Sequence, residues 1–149
     1  MTRSKSITPV RKVMDDAERE RAQHMARAQR RVTEAESKLQ ELARYHVDYS
    51  ASFSRVASEG VASTSLRDFQ VFLSRLAEAE RQQERIVARA REDLATETRR
   101  WQDAAQKSKA LAMVVERWSG EERRQDERRD QLETDDRAQR MLRGSRVQP

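Results

Sequence analysis

The chain has 149 residues; 38% are Asp, Glu, Lys or Arg, only 36% are apolar, and there are 3 Gly, 2 Pro and no Cys. A compact domain carries about 45–50% apolar and about 25% charged residues. One thick globular core is therefore excluded, as are β-rich folds with their many Gly and Pro turns, disulfides and Cys-based metal sites. The formal charge of +5 arises in residues 1–31, which hold nine Lys or Arg against four Asp or Glu; residues 32–118 hold fourteen of each sign and 119–149 eight of each. The opening MTRSKSITPVRK has no apolar h-region and no run reaches the ~18 apolar residues of a membrane span, so neither a signal peptide nor a span is expected.

Residues 1–8 read as a flexible basic N-terminus. Thr8-Pro9 has the form of an N-cap followed by proline at the first helical position, which starts a helix over 9–58. The stretch 59–65 is the mid-chain loop, with Gly60 placed to supply the left-handed cap of the first helix. Ser65 and Asp68 form a weak capping box for a second helix that starts near Leu66 and stops at Gly144. At 1.5 Å per residue these helices are roughly 75 and 115 Å long. Such length with so few apolar residues means a coiled coil.

The seam is legible as steps of three and four. On helix one it runs Met25, Ala28, Val32, Ala35, Leu39, Leu42, His46, Tyr49, Phe53, Val56. On helix two it runs Phe69, Leu73, Leu76, Glu80, Gln83, Val87, Ala90, Leu94, Glu97, Trp101, Ala104, Ser108, Leu111, Val115, Trp118. This is the heptad pattern of a left-handed coiled coil, and the short loop makes the partners antiparallel. The fold class is all-α: a long two-helix antiparallel coiled-coil hairpin with a C-terminal helical overhang. Folding near residue 61 pairs positions whose numbers sum to about 123, so Val32 nears Ala90, Arg21 nears Trp101 and Pro9 nears Val114. Helix two is thus in the coiled coil over 66–118, and 119–149 is a polar overhang and frayed C-terminus, with Ser119-Gly120 a point of fraying or kinking. Both Trp are seam residues, with Trp101 also able to stack on Arg21; His46 reads as a polar interruption that fixes register.

Near the loop the apolar arc is wider than one seam needs. Leu42, Tyr45 and Tyr49 on helix one and Phe72, Leu76, Ala79 and Ile86 on helix two make a second stripe, of which Tyr45 and Phe72 should face water. An exposed stripe of this kind marks a partner site, a dimer contact or a widened core. Carboxylate neighbours such as Glu92-Asp93 point about 100° apart on a helix, a two-helix rod offers no pocket, and His24 and His46 are too few for a zinc cluster. A non-enzyme without cofactors is expected. No nucleic-acid-binding signature is present, so no nucleic-acid partner is expected either.

Several of these residues, taken in order, resemble the FliJ family, the coiled-coil component of the bacterial flagellar type III export apparatus. Ala35-Glu36-Ser37-Lys38-Leu39, Leu42 and Tyr45-His46-Val47-Asp48-Tyr49 resemble the family's AExxL…L..Yxx(E/D)Y element. Gly60-Val61-Ala62-Ser63 and Phe69-Gln70-Val71-Phe72-Leu73-Ser74-Arg75-Leu76 resemble its G(I/V)(A/S)…(Y/F)QxFLxxL element. Gln82-Gln83 and Trp101 follow in register, and Asp130-Gln131 with Asp135-Asp136 resembles (D/E)QKxxDE without its Lys.

The resemblance implies a stalk that binds the hexameric export ATPase FliI and promotes its assembly, contacts the export gate protein FlhA and escorts export chaperones. It further implies a monomer when free, cytoplasmic and recruited to the inner membrane at the flagellar base only through partners. The gate-binding stripe would comprise Leu42, Tyr45, Tyr49, Phe72, Leu76, Ala79 and Gln83. The ATPase-facing end would comprise Arg3, Lys5, Arg11, Lys12, Arg19 and Arg21, with Arg123, Arg124, Arg128 and Arg129 in the overhang. Competing readings are the stalk of a virulence type III secretion system and a generic basic coiled coil that binds nucleic acid or itself.

Overall fold

The computed structural model describes residues 2–60 and 62–146. Three helices follow in order: α1 (Arg3–Ser6), α2 (Thr8–Ser58) and α3 (Ser63–Arg146). No strand occurs among the described residues. Helices α2 and α3 pack against each other as an antiparallel coiled-coil hairpin, with the C-terminal part of α3 left as an overhang. By contacts the chain divides into two units, Met1–Glu18 with Ala104–Pro149, and Arg19–Asp103.

The unit Arg19–Asp103 holds every buried residue: Ala28, Val32, Ala35, Leu76, Gln83 and Val87. All six belong to the two heptad rows read from the sequence, and the remaining seam residues of this unit are half-buried except Tyr49. The contacts bracket the expected register: Ala35 meets Gln83, Tyr49 meets Phe72 and His46 meets Glu80, with number sums of 118, 121 and 126. Polar groups fix that register. The Gln83 amide Nε2 donates to the Ala35 carbonyl at 3.0 Å, and His46 Nδ1 lies 2.8 Å from Glu80 Oε2. A slip of one heptad would part His46 from Glu80 and set Leu39 or Phe53 opposite that carboxylate.

The loop ends of the helices differ in detail from expectation. Gly60 does supply the left-handed conformation, at φ +75, closing the last turn of α2. Val61 lies outside the described residues. Helix α3 begins at Ser63, three residues ahead of Leu66, because the Ala62 carbonyl accepts both Ser65 N–H and Leu66 N–H. Ser65 therefore sits inside the first turn and no Ser65–Asp68 capping bond forms among the described residues.

In the unit Met1–Glu18 with Ala104–Pro149 the seam is thinner. Met14, Asp15, Leu111, Val115 and Trp118 are half-buried and none is buried. Ser108 Oγ donates to Asp15 at 2.5 Å, a number sum of 123. Within the first eight residues, expected outside the coiled coil, Arg3–Ser6 is helical. Thr8 does not cap: its hydroxyl donates back to the Ser4 carbonyl at 3.1 Å, and Ile7 joins the two helices. The pairing runs one turn further than Pro9 implied, so exposure is continuous only from Arg123, not from Ser119. Gly120 and Gly144 are passed without a break; a helical Gly costs about 1 kcal/mol relative to Ala, which does not stop a helix.

The burial pattern predicts unequal costs for two similar truncations on α3. Val87→Ala, at a position only 4% exposed, should lower unfolding free energy by about 1–3 kcal/mol. Val71→Ala, at 46% exposure, should change it by about 0.5 kcal/mol or less. Urea unfolding followed by circular dichroism measures both; equal effects would contradict the assigned seam.

Candidate partner-binding surfaces

The loop-proximal surface is built where α2 and α3 carry more apolar residues than their seam accepts. Tyr49 packs edge-on against Phe72 with centroids 4.9 Å apart, and against Phe69 at 6.4 Å; Phe53 lies 5.6 Å from Phe69. These pairs hold the rings in fixed orientations. Tyr45, Tyr49 and Phe72 nevertheless remain 42–45% exposed, as the sequence predicts for Tyr45 and Phe72. Tyr45 Oη donates to Glu41 at 3.0 Å. That bond and the carboxylate's charge push the Tyr45 hydroxyl above its usual ionisation range, so it stays a neutral donor at physiological pH.

The stripe expected from sequence is thus divided by the fold. Tyr45, Tyr49 and Phe72 face outward, Leu42 and Ala79 are half-buried, and Leu76 and Gln83 are buried. Leu76 and Gln83 are seam residues: they lie seven apart on the row that continues through the inner face of α3. The outer row, Phe72, Ala79 and Ile86, has the same seven-residue spacing, and Ile86 is 53% exposed. Sequence reasoning noted Ile86 as apolar surplus without placing it in the site.

At the open end, in the other unit, Arg3 is engaged rather than presented. Its guanidinium lies 5.0 Å over the Trp118 ring and 3.1 Å from Glu121. Glu122 accepts the Ser4 backbone N–H at 3.1 Å and the Ser4 hydroxyl. The sequence does not display this clamp because Thr8-Pro9 reads as the start of helix one; carrying the sum rule one turn further upstream brings Ser4 to the neighbourhood of Glu122. The Ser4 bonds, with the nearby Arg3 charge, hold the Glu122 carboxyl below its ordinary 4.5.

Lys5, Arg11, Lys12, Arg123 and Arg128 make no ion pair among the described residues. Arg124 donates to the Gly120 carbonyl at 3.3 Å and Arg129 pairs with Asp126 at 2.6 Å, both within the overhang. Arg19 and Arg21 fall in the unit Arg19–Asp103. Arg21 stands 3.9 Å from Glu97, whose Oε2 is buried without a hydrogen bond among the described residues. The basic excess is divided accordingly. Residues 1–18 carry 4 − 3 = +1, and residues 19–31 carry 5 − 1 = +4. By whole unit the split is near even: Met1–Glu18 with Ala104–Pro149 holds 15 cations against 12 anions, and Arg19–Asp103 holds 16 against 14, so the surplus of residues 19–31 is half offset within its own unit.

Among the described residues no helix is long and apolar enough to cross a membrane. The chain matches the family described as Flagellar FliJ protein over residues 4–146. The protein belongs to the FliJ family. Both helices, the loop and most of the overhang lie inside the match. FliJ membership makes the chain a component of flagellar protein export, a type III secretion process. No curated protein and no solved structure matches it.

The lowered Glu122 carboxyl sets a pH dependence for the clamp. A group whose folded pKa is depressed stabilises above its unfolded value and loses that contribution as pH falls through the folded one. The clamp should therefore be closed at neutral pH and weaken progressively as pH falls below 4.5, opening once the lowered Glu122 carboxyl is itself protonated. In a Trp101→Phe background, Trp118 fluorescence should change over that acidic window, and Glu122→Gln should abolish the transition. A transition unaltered in Glu122→Gln would assign it to other carboxylates.

Proposed function

We propose that this FliJ protein is the non-enzymatic stalk of the flagellar export machine. It binds the hexameric ATPase FliI through its basic open end and the gate protein FlhA through the loop-proximal aromatic stripe. It acts in the cytoplasm, is recruited to the inner membrane through these partners, and escorts export chaperones. The observation that carries the gate contact is the exposure of Tyr45, Tyr49 and Phe72, rings fixed by a T-shaped cluster and a hydrogen bond yet facing solvent. A pre-ordered aromatic surface loses little entropy on binding and supplies the anchors typical of binding hot spots. For the ATPase, support comes from Lys5, Arg11 and Lys12, cations left without an ion pair among the described residues. Arg3 supports the same end differently, by docking the first turn onto Trp118.

Two measurements test this reading. Tyr45→Ala with Phe72→Ala should weaken binding of the FlhA cytoplasmic domain by about tenfold or more with helicity kept, since both rings are exposed. A collapse in helicity would return them to the core. Charge reversal at Arg11 and Lys12 should reduce FliI engagement at low salt, with the difference fading as salt rises. Unchanged stimulation of ATP hydrolysis at low salt would remove those residues from the contact.

A further inference from the structure

The aromatic stripe does not end at Tyr45 and Phe72. On α2, Arg31, Lys38 and Tyr45 are seven residues apart, and on α3 so are Phe72, Ala79, Ile86 and Asp93. Heptad spacing keeps each row on one side of a coiled coil. A groove of about 410 Å³ lies along these rows, lined by residues that include Arg31, Ala35, Lys38, Ile86, Arg89 and Ala90. The groove opens because Ala35 and Ala90 are small and the Gln83 amide is tied down to the Ala35 carbonyl. Ile86 stands 53% exposed in it.

The groove's charge says what would cover it. Arg27 and Arg30 adjoin Arg31 and Glu34 in a neighbouring depression. Arg27, Arg30, Arg31, Lys38 and Arg89 make no ion pair among the described residues, and the same surface offers only Glu34 and Asp93 in return. Five cations against two carboxylates leave +3 beside the apolar floor, which fits a ligand that brings carboxylates and apolar side chains together. Running along two helices, the groove has the shape that receives a third. The groove adjoins the Ile86 end of the outer row, and that row covers about 21 Å from Phe72 to Ile86 at 1.5 Å per residue, so an occupant spanning both needs at least about four turns. A second copy meeting this groove with its own groove fits poorly, because an isologous contact brings the same cations together.

We propose that this groove docks an acidic amphipathic helix of a partner protein, its apolar stripe on Phe72, Ala79 and Ile86 and its carboxylates on Arg31, Lys38 and Arg89. The inference rests on the gate reading only for the identity of that partner, since the groove continues the same stripe.

The probe is a labelled helical peptide of about 21 residues with Leu at heptad spacing and Glu flanking it, beside a twin with Lys for every Glu. Fluorescence anisotropy with the full-length protein should show the Glu peptide binding about tenfold or more tighter than its twin. Ile86→Asp should cost about tenfold with helicity kept, and Arg31→Glu with Lys38→Glu and Arg89→Glu should invert the preference. Equal binding of the twins, or no effect of Ile86→Asp, overturns the proposal. So does a dimer in sedimentation equilibrium that Ile86→Asp dissociates, which would assign the groove to a second copy. FlhA cytoplasmic-domain binding lost in Phe72→Ala but intact in Ile86→Asp would keep the gate reading and overturn the groove. No FlhA binding by wild type would overturn the gate reading, while the peptide result alone decides the groove.

Discussion

A two-helix hairpin can bury one stripe per helix, and the rest of the molecule follows from that limit. The buried residues are small or slender: Ala28, Val32 and Ala35 on α2 against Leu76, Gln83 and Val87 on α3. Burying a Val or Leu contributes about 1.5–3 kcal/mol, so a handful of such positions must suffice. Apolar contacts of this kind are poorly selective for register, because every heptad looks like the next. Selectivity comes from polar seam groups with single partners. Gln83 bonds the Ala35 carbonyl, His46 meets Glu80, and Ser108 donates to Asp15. The two side-chain pairs are satisfied in one alignment and parted in a slipped one, whereas the Gln83 bond to a backbone carbonyl satisfies a buried amide without choosing the register.

The same limit creates the binding surface. Aromatic residues near the loop exceed what the seam holds, so Tyr49, Phe69, Phe53 and Phe72 pack on one another and expose their outer edges. An exposed aromatic cluster is costly unless ordered or covered. Here order comes from edge-to-face packing and from the Tyr45–Glu41 hydrogen bond. The surface is held ready without a third helix to support it, a feature of the sequence's surplus rather than of an added domain.

The sequence makes the fold class, the seam and the exposed pair Tyr45 and Phe72 legible because heptad spacing reports them directly. It leaves the helix ends less legible. Thr8-Pro9 has every local mark of a helix start, yet Glu122 anchors Ser4 and Arg3 covers Trp118, so helix extends upstream of it. Ser65-Asp68 is likewise passed over in favour of Ala62. Local signals yield to contacts formed across the hairpin, and a single-chain reading cannot weigh those. Leu76 and Gln83 stand by spacing on the seam row and are grouped with Phe72 and Ala79 as well, and in the free chain the fold buries both.

Charge is where structure changes the reading most. Composition by position puts all of the +5 in residues 1–31 and so points to one basic end. The fold splits that segment after Glu18, and counted by whole unit the charge is near even, +3 for Met1–Glu18 with Ala104–Pro149 and +2 for Arg19–Asp103. Within each unit some cations are already neutralised: Arg3 by Glu121, Arg21 by Glu97, Arg91 by Glu36. Exposed pairs of this kind contribute little to stability, but they remove a cation from what a partner meets. What counts for recognition is the unspent charge, and two of the places that hold it are Lys5, Arg11 and Lys12 near the N-terminus, and Arg27, Arg30 and Arg31 beside the apolar groove. A linear charge count merges them, whereas their surroundings are chemically unlike. The first is a solvated helix face, where attraction is screened within about 8 Å at physiological salt. The second borders apolar surface that a bound partner would dry, and there each ion pair would count for more.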